Sequence, residues 1–161
     1  MTKLQPYLSE NFESLNYDLD ELQMQFTALV SLALERIEER KLNGDFLAKP
    51  ITILYDGNPA GFFVLDFGND KLELTEKKSS VLVRSLSINP NFQGKGIGKE
   101  AMQLIPEFLA EHYPETDEIV LAVNERNTSA YQLYLKAGYV FDGKTRIGRS
   151  GPQFLMSKKL Y

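Results

Sequence analysis

The 161-residue chain contains no cysteine and one histidine, His112. Without a thiol there is no disulfide framework, no thiolate metal site and no cysteine nucleophile, and a lone imidazole builds no metal cluster. A dense run of Lys and Arg is also missing. Eighteen basic residues stand against 22 acidic ones, a formal charge of −4, which argues against nucleic acid as a partner. No apolar stretch approaches the ~18 residues of a membrane span, and MTKLQPYLSENFESL at the start shows neither an apolar targeting core nor an Arg-rich amphipathic pattern. These absences predict a cytoplasmic protein with no metal and no membrane contact. No repeat, low-complexity tract or Pro/Gly-rich linker divides the chain, so residues 1–161 read as a single domain, and 43% hydrophobic content is enough for a real core.

Periodicity supplies the order of elements. ALVSLALERIEERK, Ala28 to Lys41, places Leu29, Ala33 and Ile37 at four-residue spacing and reads as a helix with Thr27 as its N-cap. The polar stretch around residues 8 to 24 has no clear period. Ile51 to Asp56 and Gly61 to Phe67, separated by GNPA, read as a β-hairpin. VLVRSLSI, Val81 to Ile88, reads as a strand with Leu82, Arg84, Leu86 and Ile88 on one face, ended by Pro90. Ile97, Ala101, Leu104, Ile105 and Phe108 recur at helical spacing, with Pro106 expected to kink the helix. Glu118 to Asn124 reads as a buried strand, Asn127 to Ala137 as a short helix closed by Gly138, and two further strands from Tyr139 onward finish the chain. The class is α/β (α+β): a mixed central sheet of about six to seven strands flanked by helices. The terminal strands could close one subunit's sheet or pair across a homodimer, so monomer and homodimer both stay open.

Between the third strand and the second helix lies NPNFQGKGIGKEA, with Gly94, Gly96 and Gly98 at alternate positions. A helix N-terminus presents unpaired N–H groups and partial positive charge, so an anion can be bound there by backbone alone. Glycines permit positive φ and close approach, Gln93 offers an amide donor, and Lys95 and Lys99 supply charge. The segment reads as a phosphate cradle. A plain turn and a dinucleotide-binding loop are the rivals: Gly96, Gly98 and Ala101 fit G-x-G-x-x-A, but a hairpin first is the wrong start for that fold.

A second motif lies downstream, where Asn127, Ala130, Tyr134, Gly138 and Tyr139 fit N-x-x-A-x-x-x-Y-x-x-x-G-[FY]. Combined with Gln93, Gly96 and Gly98 as Q-x-x-G-x-G, it closely resembles the GNAT superfamily of acyl-CoA-dependent N-acetyltransferases across Val81 to Phe141. The resemblance implies that the chain is an acetyltransferase with acetyl-CoA as cosubstrate. It implies that Gln93, Gly94, Lys95, Gly96, Ile97, Gly98 and Lys99 hold the pyrophosphate, and that the backbone of Leu86, Ser87 and Ile88 lies along the pantetheine. Asn127 resembles the residue that touches that arm, and Tyr134 the tyrosine that protonates the departing thiolate. Both also have ordinary readings, Asn127 as an N-cap and Tyr134 as part of an apolar helix stripe.

Many members of that family carry a glutamate on the strand before the glycine loop as general base, whereas Arg84, Ser85, Leu86 and Ser87 stand here. Glu73, Asp66, a water chain or an acceptor that arrives neutral are the open alternatives. A CoA-binding module without chemistry is the reading this gap favours. For the acceptor, Glu10, Glu13, Asp18, Asp20 and Glu21 crowd the first 25 residues against Lys3 alone. Such a face attracts a cationic amine, and the chain also weakly resembles bacterial acetyltransferases that act on spermine and spermidine. The expected partner is a small-molecule primary amine, polyamine-like.

Overall fold

Asp56 and Gly57 both adopt positive φ, 49° and 82°, the pair that a two-residue hairpin turn requires. They join β2 (Ala48–Tyr55) to β3 (Asn58–Asp66). The computed structural model describes residues 1–160. Its other strands are β1 (Thr2–Pro6), β4 (Ser80–Ile88), β5 (Glu118–Asn124), β6 (Val140–Gly148) and β7 (Gly151–Lys159). They form one seven-stranded sheet in the order β1-β2-β3-β4-β5-β7-β6. Only β4 and β5 pair in parallel; every other neighbouring pair is antiparallel. That single parallel pair excludes the dinucleotide-binding architecture, whose sheet is mostly parallel.

The helices are α1 (Phe12–Leu15), α2 (Glu21–Met24), α3 (Val30–Leu42), α4 (Ile97–His112) and α5 (Thr128–Lys136). β1, α1 and α2 precede the expected order of elements. β1 is a five-residue edge strand paired with β2 from Thr2 against Tyr55 to Pro6 against Ile51, and it also meets α4, where Thr2 Oγ1 donates to Glu100 Oε2. α3 begins later than its periodicity suggests, with Leu29 at the cap position. Thr27 is therefore not the cap. Its hydroxyl instead donates to the Leu86 carbonyl at 3.1 Å. α4 runs unbroken through Pro106.

Two apolar layers clothe the sheet. Ile97, Met102, Ile105 and Leu109 of α4 and Tyr134 of α5 pack on Ile51, Phe63, Val81 and Val83. On the opposite face Val30, Ala33 and Ile37 of α3 cover Ala48, Phe62 and Val64. Among the described residues no helix is long and apolar enough to cross a membrane.

Asp66, at the end of β3, is 1% exposed and ties the α3 layer to the strands. Arg40 of α3 grips it with two bonds, of 2.8 and 3.1 Å, Arg84 of β4 adds one at 3.2 Å, and the Gly68 amide one at 2.8 Å. Burial opposes ionisation, but the Arg40 guanidinium, the Gly68 amide and the adjoining positive charges outweigh it and hold the carboxyl below its ordinary pKa. A depressed pKa means a contribution to stability that is fully present above the unfolded carboxylate's value of about 3.9. That contribution is lost as pH falls from there through the lower folded value. Asp66→Asn, which leaves two guanidinium groups facing an amide, is expected to cost on the order of 3 kcal/mol at pH 7. Urea unfolding of both proteins at pH 7 and pH 3 checks this, the difference shrinking at the lower pH.

Candidate functional site

The site originates in an irregularity of β4. Ser87 stands opposite Phe62 and Arg84 opposite Val64, so Ser85 and Leu86 together face the single residue Phe63. Ser85 takes a left-handed φ of 59°, the signature of a β-bulge. The extra residue changes the phase of the strand. Leu82 packs on the α3 side, whereas Leu86 and Ile88 join the α4-side core with Val81 and Val83. The expectation that Leu82, Arg84, Leu86 and Ile88 share one face is thus overturned: the bulge moves the last two across.

The same region separates β4 from β5. The two strands pair only through Ser80, Val81 and Leu82 against Glu118, Ile119 and Val120. From Val83 onward the β5-side edge of β4 has no strand partner among the described residues. Side chains occupy some of its carbonyls: Thr27 donates to Leu86, and Gln93 Nε2 to Ile88 at 3.3 Å. Tyr17 supports the strand from the α3 side, its hydroxyl 2.7 Å from Ser87 Oγ and 3.1 Å from the Ser87 carbonyl.

A groove of about 1390 Å³ fills the opening, and its walls come from both faces of the sheet. Ile97, Gly98 and Tyr134 line it on the α4 side, and Arg84, Arg146 and Gln153 on the other. The gap between β4 and β5 is therefore a passage through the sheet. Leu86, Ser87, Ile88, Gln93, Gly94, Gly96, Ile97, Gly98, Lys99, Asn127 and Tyr134 all line it. Lys95 does not belong to its walls: its ammonium sits 5.6 Å from the centre of the Tyr55 ring, a cation–π contact directed at the β2–β3 hairpin. Its ammonium is directed away from the groove, and its expected charge contribution to the cradle is corrected accordingly.

The glycine loop ends in α4, with Gly96 at the cap position and Gly94 and Gly96 at φ of 81° and 76°. Space around both is open, so it is the left-handed backbone that requires glycine there. Gly98 is different. It lies within the helix, and a Cβ on it would stand 2.9 Å from Leu133 Cδ1 of α5. Close packing of two helices, not positive φ, explains that glycine. The first acceptor in the helix is the Gly96 carbonyl, bonded by the Glu100 amide at 3.0 Å. Among the described residues nothing accepts from the amides of Gly94 to Lys99. A run of free N–H groups at a helix start fits an anion with several oxygens, such as a diphosphate.

Asn127 caps α5, its Oδ1 accepting from the Ala130 amide at 3.3 Å, and its side-chain NH2 remains unengaged by any described residue. Gly138 follows the last turn at φ of 92°, as expected of a left-handed stop. Tyr134 is 9% exposed, and its hydroxyl has no hydrogen-bond partner among the described residues. Burial pushes its pKa up to about 12, so the phenol keeps its proton through the ordinary pH range.

Neither candidate base lines the groove. Asp66 is held by Arg40 and Arg84, and Glu73 by Arg146 at 2.7 Å. Asp20 is the one carboxylate in the walls among the described residues, and its Oδ1 accepts from the Gln23 amide at 2.8 Å as the cap of α2. Glu10, Glu13, Asp18 and Glu21 are not among the lining residues. Sequence reasoning also missed a bridge over the α3-side mouth. The β6–β7 turn reaches the α2–α3 connection through Ser150 Oγ, which donates to the Gln25 carbonyl at 2.9 Å. Asn124 and Arg126 both donate to the Ser150 carbonyl at 2.9 Å, and Arg126 lies over Phe26. No periodicity places residue 150 beside residue 25.

Known proteins resemble this chain in sequence and in fold. Residues 12–139 match the model of the acetyltransferase (GNAT) family. An uncharacterized N-acetyltransferase, YbbJ, of Bacillus subtilis (strain 168) is 40% identical over 66% of this chain and 68% of its own length. A spermine/spermidine N(1)-acetyltransferase of the same strain is 31% identical over 60% of this chain and 62% of its own. Among solved structures, aminoglycoside acetyltransferase AAC(6')-Ib with coenzyme A and kanamycin superposes with a TM-score of 0.76 at 20% identity. That alignment covers 99% of this chain and 95% of that one, and it shows the fold.

The Gly98–Leu133 contact makes a separable forecast. Gly98→Ala sets the crowding of Leu133 Cδ1, the end of a flexible side chain, against the gain of about 1 kcal/mol that Ala brings over Gly in a helix. The net change is therefore expected to stay within about 1 kcal/mol, and Leu133→Ala in the same chain to remove the crowding and leave the gain. A double-mutant cycle in urea measures the coupling; strictly additive effects would show that the two side chains do not meet.

Proposed function

Because this chain belongs to the acetyltransferase (GNAT) family, we propose that it moves an acetyl group from acetyl-CoA to the primary amine of a small molecule by direct attack in a ternary complex. Acetyl-CoA supplies an activated thioester and a thiolate leaving group. The observation that carries this reading is the passage between β4 and β5, which joins an anion cradle and a protonated phenol on one face to an open mouth on the other.

The free amides from Gly94 to Lys99 suit a diphosphate, with the Lys99 ammonium and the Gln93 side chain at the groove wall. The unpaired edge of β4 from Leu86 to Ile88 offers backbone groups to an amide-bearing arm, as an added strand would use them. Asn127 has side-chain donors left over after capping α5. Amides fixed in a strand also stabilise negative charge that develops on an oxygen held against them, without reorganising. Tyr134 holds a proton at a hydroxyl that no other described group claims, and a forming thiolate at that position can take it. No free carboxylate in the walls is placed to deprotonate the amine, so the acceptor enters the passage neutral. Residues 1–161 act as one unit in this scheme.

A polyamine acceptor draws support from the spermine-directed relative. The acidic N-terminal residues do not support it, since only Asp20 reaches the groove and it is engaged in a cap.

Tyr134→Phe is expected to lower kcat by about a hundredfold while calorimetric affinity for acetyl-CoA stays within about twofold. Wild type that binds acetyl-CoA but releases no CoA thiol with any amine would return the non-catalytic reading. With the wild type, kcat/KM should climb with pH as the acceptor's own ammonium deprotonates. No falling limb should appear up to pH ~10, because a phenol with a pKa raised this far remains protonated there. A rising limb that keeps one pKa for acceptors of different basicity would point to an enzyme base instead.

A further inference from the structure

We infer that the acceptor is an amine carrying an oxyanion, a carboxylate or a phosphate, and that Arg36 and Arg149 receive it on the α3 side of the groove. This deepens the acetyltransferase reading and rests on it. The charged side chains lining that side are Arg36, Arg84, Arg146 and Arg149, against Asp20 alone. Two of the arginines are already neutralised. Arg84 pairs with Asp66 at 3.2 Å and Asp70 at 3.0 Å, and Arg146 pairs with Glu73 at 2.7 Å and donates to Gln153 at 2.8 Å. Arg36, on α3, and Arg149, on the β6–β7 turn, are exposed and have no acidic partner among the described residues.

Two unmatched guanidinium groups at the mouth of a substrate passage repel a second ammonium and attract an anion. Their planar forks also match the paired oxygens of a carboxylate or phosphate, which a lone ammonium cannot do. Asp20 offers a cation little, because its Oδ1 already accepts from the Gln23 amide. Arg149 is not on a loose tip. Its neighbour Ser150 is fixed by bonds of 2.9 Å from Asn124 and Arg126 and by its own to Gln25, so the backbone that carries the guanidinium is preorganised. The polyamine expectation therefore gives way, on this face, to an amine with an acid at its other end.

Matched acceptors of equal length isolate the charge: β-alanine against 1,3-diaminopropane, and 4-aminobutyrate against putrescine, with O-phosphoethanolamine as the phosphate arm. With CoA thiol release as the readout, the acid-bearing member of a pair is expected to show kcat/KM about tenfold or more above its diamine. A carboxylate preference and a phosphate preference each support the inference and tell the two sources apart. Arg149→Ala and Arg36→Ala should each raise KM for the preferred acid by about tenfold. Calorimetry should show acetyl-CoA affinity retained, which proves the fold and the other half of the groove intact, and Arg149→Glu should move the preference towards the diamine. Direct titration of the preferred acid into wild type and Arg149→Ala gives a binding readout independent of turnover. Faster transfer to the diamines, or an acid KM indifferent to both arginines, overturns the inference and leaves the acetyltransferase reading standing. Acetyl-CoA that binds without transfer to any amine sinks both, and absence of acetyl-CoA binding sinks the reading on which they stand.

Discussion

The structure turns on a failure of two strands to stay together. β4 and β5 pair through Leu82 and Val120 and then part. A parallel pair inside a sheet would ordinarily continue, because an unpaired buried N–H or C=O is costly. Here the bulge at Ser85 bends β4, and groups from distant segments occupy what the ladder would have used: Thr27 on the Leu86 carbonyl and Gln93 on that of Ile88. Such replacement is partial, and the remainder of that edge is available to a ligand. The sheet on either side of the gap is well packed, with Phe62, Phe63, Ile119 and Leu121 all buried.

The two faces use charge in different ways. On the α4 side the positive potential comes from backbone amides at the start of α4, reinforced by Lys99. Amide donors have fixed direction and lose no side-chain entropy on binding, which suits a ligand part common to many reactions. Deeper in, the environment is apolar enough to raise the Tyr134 pKa to about 12. On the α3 side the charge is carried by arginine side chains, two of them anchored by carboxylates behind the wall. The buried Asp66 belongs to this second system: by holding Arg40 and Arg84 together it joins α3 to β4, the two elements that flank the mouth.

Much of this was legible in the residues, and the rest was hidden for definable reasons. The hairpin, α4, β5 and α5 follow from period and punctuation, and Gly94 and Gly96 stand out by their alternate spacing before a helix, whereas the roles of Asn127 and Tyr134 rest on the family resemblance and not on spacing. β1 escaped because five residues paired to one neighbour need show no alternation. The phase of β4 was misread because a bulge breaks the rule of two exactly where it matters, and Ser85 is an ordinary residue doing what glycine usually does. Lys95 was assigned by proximity in sequence, but its long side chain found Tyr55 instead. The mouth was least legible: Gln25, Arg36, Arg84 and Ser150 come from four separate segments, and nothing local in any one names the others.

That dispersal has a further consequence. The walls of the α3 side are supplied by separate stretches: the connection before α3, one exposed turn of α3, Arg84 of β4 and the end of the β6–β7 hairpin from Arg146 to Gln153. None of them contributes to the run from Gln93 to Lys99 or to the stripe of α5 that bears Tyr134. Exchanging a few surface residues on the first set can therefore change the shape and charge of the α3-side mouth without touching the glycine loop or the α5 stripe. The opening between β4 and β5 thus lies between two sets of residues that can be altered independently.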